Sequence, residues 1–224
     1  MKLSKDTIKI LDNLSQINDT IIFKQGRKQV VTDISGKILM DVNLEEEFPR
    51  RFPIFEVKRL LQAISLFDEP EIEFSETALT IKQGNDSIQY SYCSEAFLKD
   101  YKEKNGANLP DAILSFKIDQ NTYNKVRTAS GIFKSNQFNF RADGKSIFFC
   151  TGEQQKGKTI AIEVGNTDRV FDLSVNIDLM RLIKDEEYTF NVHDAGKVAI
   201  LSIETKTYDA KYVVVCNLDS RIEP

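Results

Sequence analysis

The chain has no tryptophan, a single histidine, only three cysteines and five prolines in 224 residues. No apolar run is long enough to cross a bilayer. Each scarcity removes a class of function. Cys93, Cys150 and Cys216 show no CxxC spacing, and with one histidine they leave too few ligands for a zinc site. An odd, scattered set in strand-like apolar stretches suits reduced, buried thiols of a cytosolic protein. His193 stands before Asp194-Ala195-Gly196, a turn signal, and is expected to be a solvated turn residue. The opening Met1-Lys2-Leu3-Ser4-Lys5-Asp6 is polar and lacks the apolar core of a signal peptide, so secretion is not expected. Without secretion, the sequons at Asn13, Asn18 and Asn85 are not read as glycosylation sites. A formal net charge of −4 excludes a uniformly positive coat, although the placement of charge decides whether nucleic acid can bind. No His–Asp or Cys–His pairing is visible, so neither enzyme activity nor a cofactor is expected.

What is present is repetition. Four segments read as a strand, a short helix and two or three further strands, with helix starts near Ser4, Phe55, Asp119 and Asn176. The first and third starts are 115 residues apart and the second and fourth 121, which gives two similar halves of two units each. Ser4 and Asp119 are good N-caps. Ile8, Leu11, Leu14 and Ile17 form one apolar stripe; Val57, Leu60, Leu61 and Ile64 form a second. Tyr123, Val126 and Ala129 turn inward on the third helix. The fourth helix, Ile177 to Lys184, is the shortest.

Strands alternate at period two, as at Ile72 and Phe74, Phe138 and Phe140, and Tyr188, Phe190 and Val192. Short turns separate them, at Gly26, Ser35-Gly36, Gly84-Asn85-Asp86, Asp143-Gly144 and Asp194-Ala195-Gly196. These hairpins exclude parallel crossovers. The fold class is α+β with antiparallel sheets and helices on one face. Residues 1–93 and 112–224 are expected to be two similar domains joined by a polar connector at 94–111.

Opposite their apolar stripes the four helices carry Lys5 and Lys9, Lys58 and Arg59, Lys125 and Arg127, and Arg181 and Lys184; Asn121 and Asn124 join the third set. Acids concentrate elsewhere, as in Glu45-Glu46-Glu47. In an acidic protein, basic bias recurring on four related helices suggests that they face phosphate. Side by side, four helices of ~10 Å span ~40 Å, so three chains would line an opening ~38 Å across, wide enough for duplex DNA. Lys and Arg directed at the backbone would read no sequence and allow sliding.

The opening Met1-Lys2-Leu3-Ser4-Lys5-Asp6-Thr7, the stretch Leu60-Leu61-Gln62-Ala63-Ile64-Ser65-Leu66 and the order of repeated units resemble the sliding clamps of T-even-type bacteriophages. The resemblance implies the DNA-clamp fold, two domains of two β-α-β-β(-β) units each, forming a head-to-tail homotrimeric ring with helices inside and sheets outside. It also implies partners: duplex DNA, the replicative DNA polymerase, an ATP-driven clamp loader and late-transcription factors of RNA polymerase, in the cytoplasm of an infected bacterium. Clamp partners dock hydrophobic peptides near the connector. The residues this singles out are Phe97, Leu98, Tyr101 and Leu109, with Val213 and Val215, although core packing is the plainer reading of the two valines. Subunit contacts in related clamps pair sheet edges, which points to Ser87, Ile88, Tyr90 and Tyr92 in the first half and Thr159, Ile160, Ile162 and Val164 in the second.

Two rival readings come from the residues alone. Gly152-Glu153-Gln154-Gln155-Lys156-Gly157-Lys158-Thr159 fits the phosphate-loop pattern, but the alternating Ile160-Ala161-Ile162-Glu163-Val164 that follows predicts a strand where that loop needs a helix. Fifteen phenylalanines and seven tyrosines could instead stack on single-stranded nucleic acid. Most of the phenylalanines occupy alternating strand positions suited to a core.

Overall fold

A computed structural model describes residues 1–98, 101, 103–153, 157–184 and 186–223, without the side chains of Glu95, Phe97 and Glu153. The chain divides into two compact units, Met1–Gly106 and Ala107–Pro224.

Unit 1 runs α1 (Lys5–Ile17), β1 (Ile21–Phe23), β2 (Gly26–Thr32), β3 (Ile38–Phe48), β4 (Phe52–Ile54), α2 (Val57–Ile64), β5 (Glu71–Phe74), β6 (Ala78–Gln83) and β7 (Asp86–Ser91). All its pairings are antiparallel: β1 with β4, β2 with β3, and β5-β6-β7 in order. Ser4 caps α1 as expected, its hydroxyl accepting from the Thr7 amide at 3.1 Å. The Glu46 carboxylate of β3 accepts from the Ser4 amide and the Thr7 hydroxyl, placing negative charge at the helix N-terminus. Ile10, Leu11, Leu14 and Ile17 are buried, while Ile8 is half-buried. On α2, Val57, Leu60 and Ile64 are buried and Leu61 half-buried. Phe23, Phe48, Phe52 and Phe74 form an aromatic cluster with ring centroids 5.0–6.0 Å apart. The strand expected ahead of the first helix is reduced to Met1, which exchanges backbone hydrogen bonds with Ile72.

Unit 2 runs β8 (Ala112–Ile118), α3 (Gln120–Phe133), β9 (Gln137–Asp143), β10 (Ser146–Glu153), β11 (Lys158–Asn166), β12 (Val170–Asn176), β13 (Tyr188–Asp194), β14 (Ala199–Thr205), β15 (Ala210–Val215) and β16 (Arg221–Ile222). One antiparallel sheet has the order β11-β10-β9-β12-β16, and a second ladder the order β15-β14-β13-β8. Tyr123, Val126 and Ala129 of α3 are buried, as are Phe138, Phe140, Phe149, Tyr188, Phe190 and Val192. The order helix, four strands, helical segment and three strands thus occurs in both units, and unit 2 adds β8 before it and the short β16 after it.

The fourth helix does not form. Ile177–Leu179 makes one 3₁₀ turn, capped by Asn176, and residues 180–184 are irregular. The reason lies in who takes the backbone groups. Tyr123 donates to the Met180 carbonyl at 2.9 Å, the Ile183 amide donates to the Tyr212 hydroxyl at 3.0 Å, and Tyr188 donates to the Ile183 carbonyl. With these groups satisfied by side chains, the segment still buries Met180, Leu182 and Ile183. The histidine expectation also fails. His193 is buried on β13 instead of solvated in the turn, because both ring nitrogens find partners, Pro110 and Ser202. Cys150 and Cys216 are buried, whereas Cys93 lies just past β7 and is half-buried.

Candidate functional site

The cations singled out from the sequence fall on three helices and one irregular segment. On α1, Lys5 is exposed and Lys9 half-buried, but Asp12 shares their face and accepts from Gln16 at 2.9 Å. With Asp6 also on the helix, α1 carries as many carboxylates as ammonium groups. Lys58 and Arg59 of α2 are exposed, and Arg59 pairs with Glu56 at 3.0 Å. α3 is different. Asn121, Asn124, Lys125 and Arg127 are exposed on a helix that contains no carboxylate at all. Its N-cap Asp119 holds the Thr122 amide at 2.7 Å. Arg127 also reaches the Met180 carbonyl at 3.2 Å and the Tyr123 hydroxyl at 3.5 Å, so one face of its guanidinium serves the fold. Arg181 and Lys184 are exposed on the irregular segment, near its single acid Asp178.

Among the described residues, β7 and β5 end the three-stranded sheet of unit 1, and β11 and β16 the five-stranded sheet of unit 2; there β7 pairs with β6 alone and β11 with β10 alone. Ser87 is exposed and Ile88 and Tyr90 half-buried on the first; Thr159 is exposed and Ile160, Ile162 and Val164 half-buried on the second. Half-exposed apolar side chains beside a free ladder are what a strand-adding partner requires. The Tyr90 hydroxyl donates toward the Phe55 and Glu56 carbonyls at the start of α2. The Tyr92 hydroxyl, just past β7, is buried with no hydrogen-bond partner among the described residues.

The connector residues separate. Leu98 and Val213 are buried, Tyr101, Leu109 and Val215 half-buried, and the Phe97 side chain lies outside what is described. Burial raises the Tyr101 pKa, partly offset by a hydrogen bond from the Ile22 backbone. The polar stretch after it is tied down by Lys24, which bonds Asn105 at 2.7 Å and faces Glu103 at 3.8 Å, and by Arg51, 3.3 Å from Glu103. Nothing in the sequence flagged Lys24 or Arg51, because their partners lie some fifty to eighty residues away.

The rival chemistries lose their footing. β10 and β11 pair antiparallel up to Glu153 and Lys158, so in the β10–β11 hairpin Lys158 and Thr159 are strand residues; Gln154, Gln155 and Lys156 lie outside the described residues. Gly152 is demanded by that hairpin: at φ 95° a Cβ would sit 2.1 Å from the Lys158 carbonyl oxygen. Burial pushes the Cys150 thiol up to about 11 and Cys216 to about 12, so neither is a nucleophile at neutral pH. Among the described residues no cluster of three or more His, Cys, Asp or Glu could hold a metal.

No protein-family model matches the chain. It is 26% identical over 219 residues to the sliding clamp of Vibrio phage KVP40, covering 94% of this chain and 98% of that one. To the sliding clamp of Escherichia phage RB69 it is 34% identical over 73 residues, 32% of each chain. Among solved structures, the PCNA2-PCNA3 complex of Sulfolobus tokodaii matches 98% of this chain and 100% of that one with a TM-score of 0.68 at 12% identity. The A. fulgidus PCNA bound to the C-terminal region of FEN-1 matches 97% and 95% with a TM-score of 0.65 at 14% identity. The chain has the DNA-clamp fold. Its resemblance to T-even-type phage clamps, first seen in two short stretches, extends along nearly its full length.

Proposed function

We propose that this protein is a non-enzymatic sliding clamp, a homotrimeric ring that encircles duplex DNA and tethers the replicative DNA polymerase. The observation that carries the reading is a clamp fold with two different open strand edges, β7 in one unit and β11 in the other. Two unlike edges on one chain suit heterologous, head-to-tail pairing, which closes into a ring when the rotation permits. The cations of α1, α2, α3 and residues 181–184 supply the phosphate-facing lining. With three helices in place of four, about 30 Å of lining per chain is helical and the remainder is segment such as 177–184. The aromatic clusters support a clamp over a single-strand binder, since their rings are spent in the core.

Loading by an ATP-driven clamp loader, support of late transcription and residence in the cytoplasm of an infected bacterium belong to the same reading. Docking of partner peptides belongs to the same reading, with the half-buried Tyr101 and buried Leu98 in unit 1, and Leu109, Val213 and Val215 in unit 2, as the residues to substitute. That the A. fulgidus PCNA carries a C-terminal region of another protein supports this mode of docking.

The test is solution mass by light scattering across protein concentration, then retention on DNA circles and on linear duplex with blocked or free ends. A mass approaching three chains, with retention only where ends are absent or blocked, is expected. A strict monomer, or retention indifferent to ends, would overturn the ring.

A further inference from the structure

The single histidine lies outside the surfaces described above and is buried with both ring nitrogens partnered. The β8–β13 register shifts between Val192, which faces Leu114, and His193, which faces Ala112. Such a bulge re-aims the strand where it occurs. His193 is buried, with Nδ1 2.8 Å from the Pro110 carbonyl oxygen and Nε2 2.9 Å from the Ser202 hydroxyl. A carbonyl can only accept, so Nδ1 carries the hydrogen and Nε2 accepts from Ser202. The Ser202 oxygen also accepts from Asn191 at 3.3 Å, and the Asn191 side-chain carbonyl accepts from Ser115 at 2.6 Å. A polar chain therefore crosses β14, β13 and β8 from the connector's last residues to exposed Ser115. Ser202 is 0% exposed, which rules out any reading of the Ser–His pair as a nucleophile.

We propose that His193 is a positioning residue for the connector, fixing Pro110 and, through it, the direction in which Leu109 is presented. Pro110 has no amide of its own and restricts the residue before it to extended backbone. Its carbonyl is thus the handle by which the rest of unit 2 can set Leu109. The consequence for partner docking rests on the clamp reading; the clasp itself does not.

Because the protein has one histidine, ¹⁵N NMR of the imidazole reads the tautomer directly, and the Nδ1–H form is expected. Two substitutions divide the ring's roles. His193→Asn places an amide nitrogen near the Nδ1 position; His193→Gln reaches the Nε2 position instead. The Asp111 amide nitrogen shift reports the hydrogen bond to the preceding Pro110 carbonyl, and the Leu109 amide shift reports the backbone ahead of the proline. Both are expected to stay close to wild type in His193→Asn and to move in His193→Gln, which loses that bond. Ser202→Ala, which keeps the donor to Pro110, should leave both shifts in place and serves if the glutamine variant does not fold. An Nε2–H tautomer, equal shifts in the asparagine and glutamine variants, or Leu109 and Asp111 shifts moved by Ser202→Ala would each overturn the proposal. All of these are read on the free protein, so failure to form a ring or bind DNA would sink the clamp reading and leave the clasp standing.

Discussion

The segments 57–64 and 177–184 occupy the same place in the two units, after a helix and four strands and before a run of further strands, yet only the first is an α-helix. Composition does not explain the difference, because Leu179, Met180, Arg181, Leu182 and Lys184 are good helix formers. What differs is the surroundings. In unit 2, Tyr123, Tyr188 and Tyr212 aim hydroxyls at the backbone of residues 180–183. Counting from the two N-caps, Ile8 stands in α1 where Tyr123 stands in α3, and isoleucine has no hydroxyl to offer. In unit 1 the outside partners meet only the start of the segment, and its later amides turn back on its own carbonyls, as Leu60 does on Glu56 and Ser65 on Leu61, closing a helix. The comparison teaches that three buried hydroxyls can override the propensity of a short segment.

The strongest way to break that comparison is to remove the hydroxyls. Tyr212→Phe leaves the buried Ile183 amide unpaired and should cost about 1–3 kcal/mol. The triple change of Tyr123, Tyr188 and Tyr212 to Phe should cost several kcal/mol in urea unfolding, subject to coupling among neighbours. If the triple variant instead gains helical circular dichroism with stability unchanged, the segment was a helix held open, and the hydroxyls were not needed to stabilise it. Burial pushes the Tyr123 pKa up to about 12, so its hydroxyl stays protonated and remains the donor to the Met180 carbonyl well above neutral pH.

The two edge hairpins give a second contrast. Gly84, in the β6–β7 turn, has φ 59° with open space around its missing Cβ, whereas Gly152 at φ 95° would drive a Cβ into the Lys158 backbone. Gly84→Ala should cost about 1–2 kcal/mol from the left-handed backbone alone. Gly152→Ala should cost more, because the β10–β11 ladder must also move. Thermal melts of the two variants rank them; equal costs would mean that the hairpin yields freely at Gly152.

These contrasts mark where the sequence was legible. The stripe of α1, the inward face of α3 and the alternation of Phe138 with Phe140 are local patterns, and the structure follows them. Ser4 and Asp119 announced their caps because the bond each makes spans three residues. The missing fourth helix, the buried His193 and the anchors Lys24 and Arg51 depend mainly on partners far along the chain: Tyr123 and Tyr212, Pro110, and residues 103–105. Only the Tyr188 and Ser202 contacts are local. The basic bias was readable as composition, but its unevenness was not: Asp12 falls on the face of Lys5 and Lys9, while α3 has no acid to cancel Lys125.

That unevenness predicts unequal lysines. Each phosphate contact contributes about 0.9 to the slope of log K against log salt. Lys125→Ala should lower the slope for duplex binding by close to that amount for each protomer whose α3 meets a phosphate, and Lys5→Ala by less, since Asp12 offsets part of the charge on its face. Equal slopes would argue that the local carboxylates do not shape the lining.

The smallest effect concerns how the two units start their helices. α3 is capped from within, by Asp119, but α2 begins at Glu56 in the left-handed region, φ 61°, with no side-chain cap of its own. Asp19 does the work from outside: its carbonyl accepts from the Val57 amide and its carboxylate from the Lys58 amide, both at 2.8 Å. Asp19→Ala removes only the carboxylate half of that arrangement and should cost about 1 kcal/mol, as loss of an ordinary cap does. Asp119→Ala should cost a similar amount. The two should differ in kind, because Asp19 joins the β1 end of the chain to α2 while Asp119 acts on its own helix. Hydrogen exchange after Asp19→Ala should therefore rise at Lys58, and after Asp119→Ala at Thr122, each change confined to its own helix start. Exchange that spreads from Lys58 through β1 would show that Asp19 holds the two elements together, a larger role than capping.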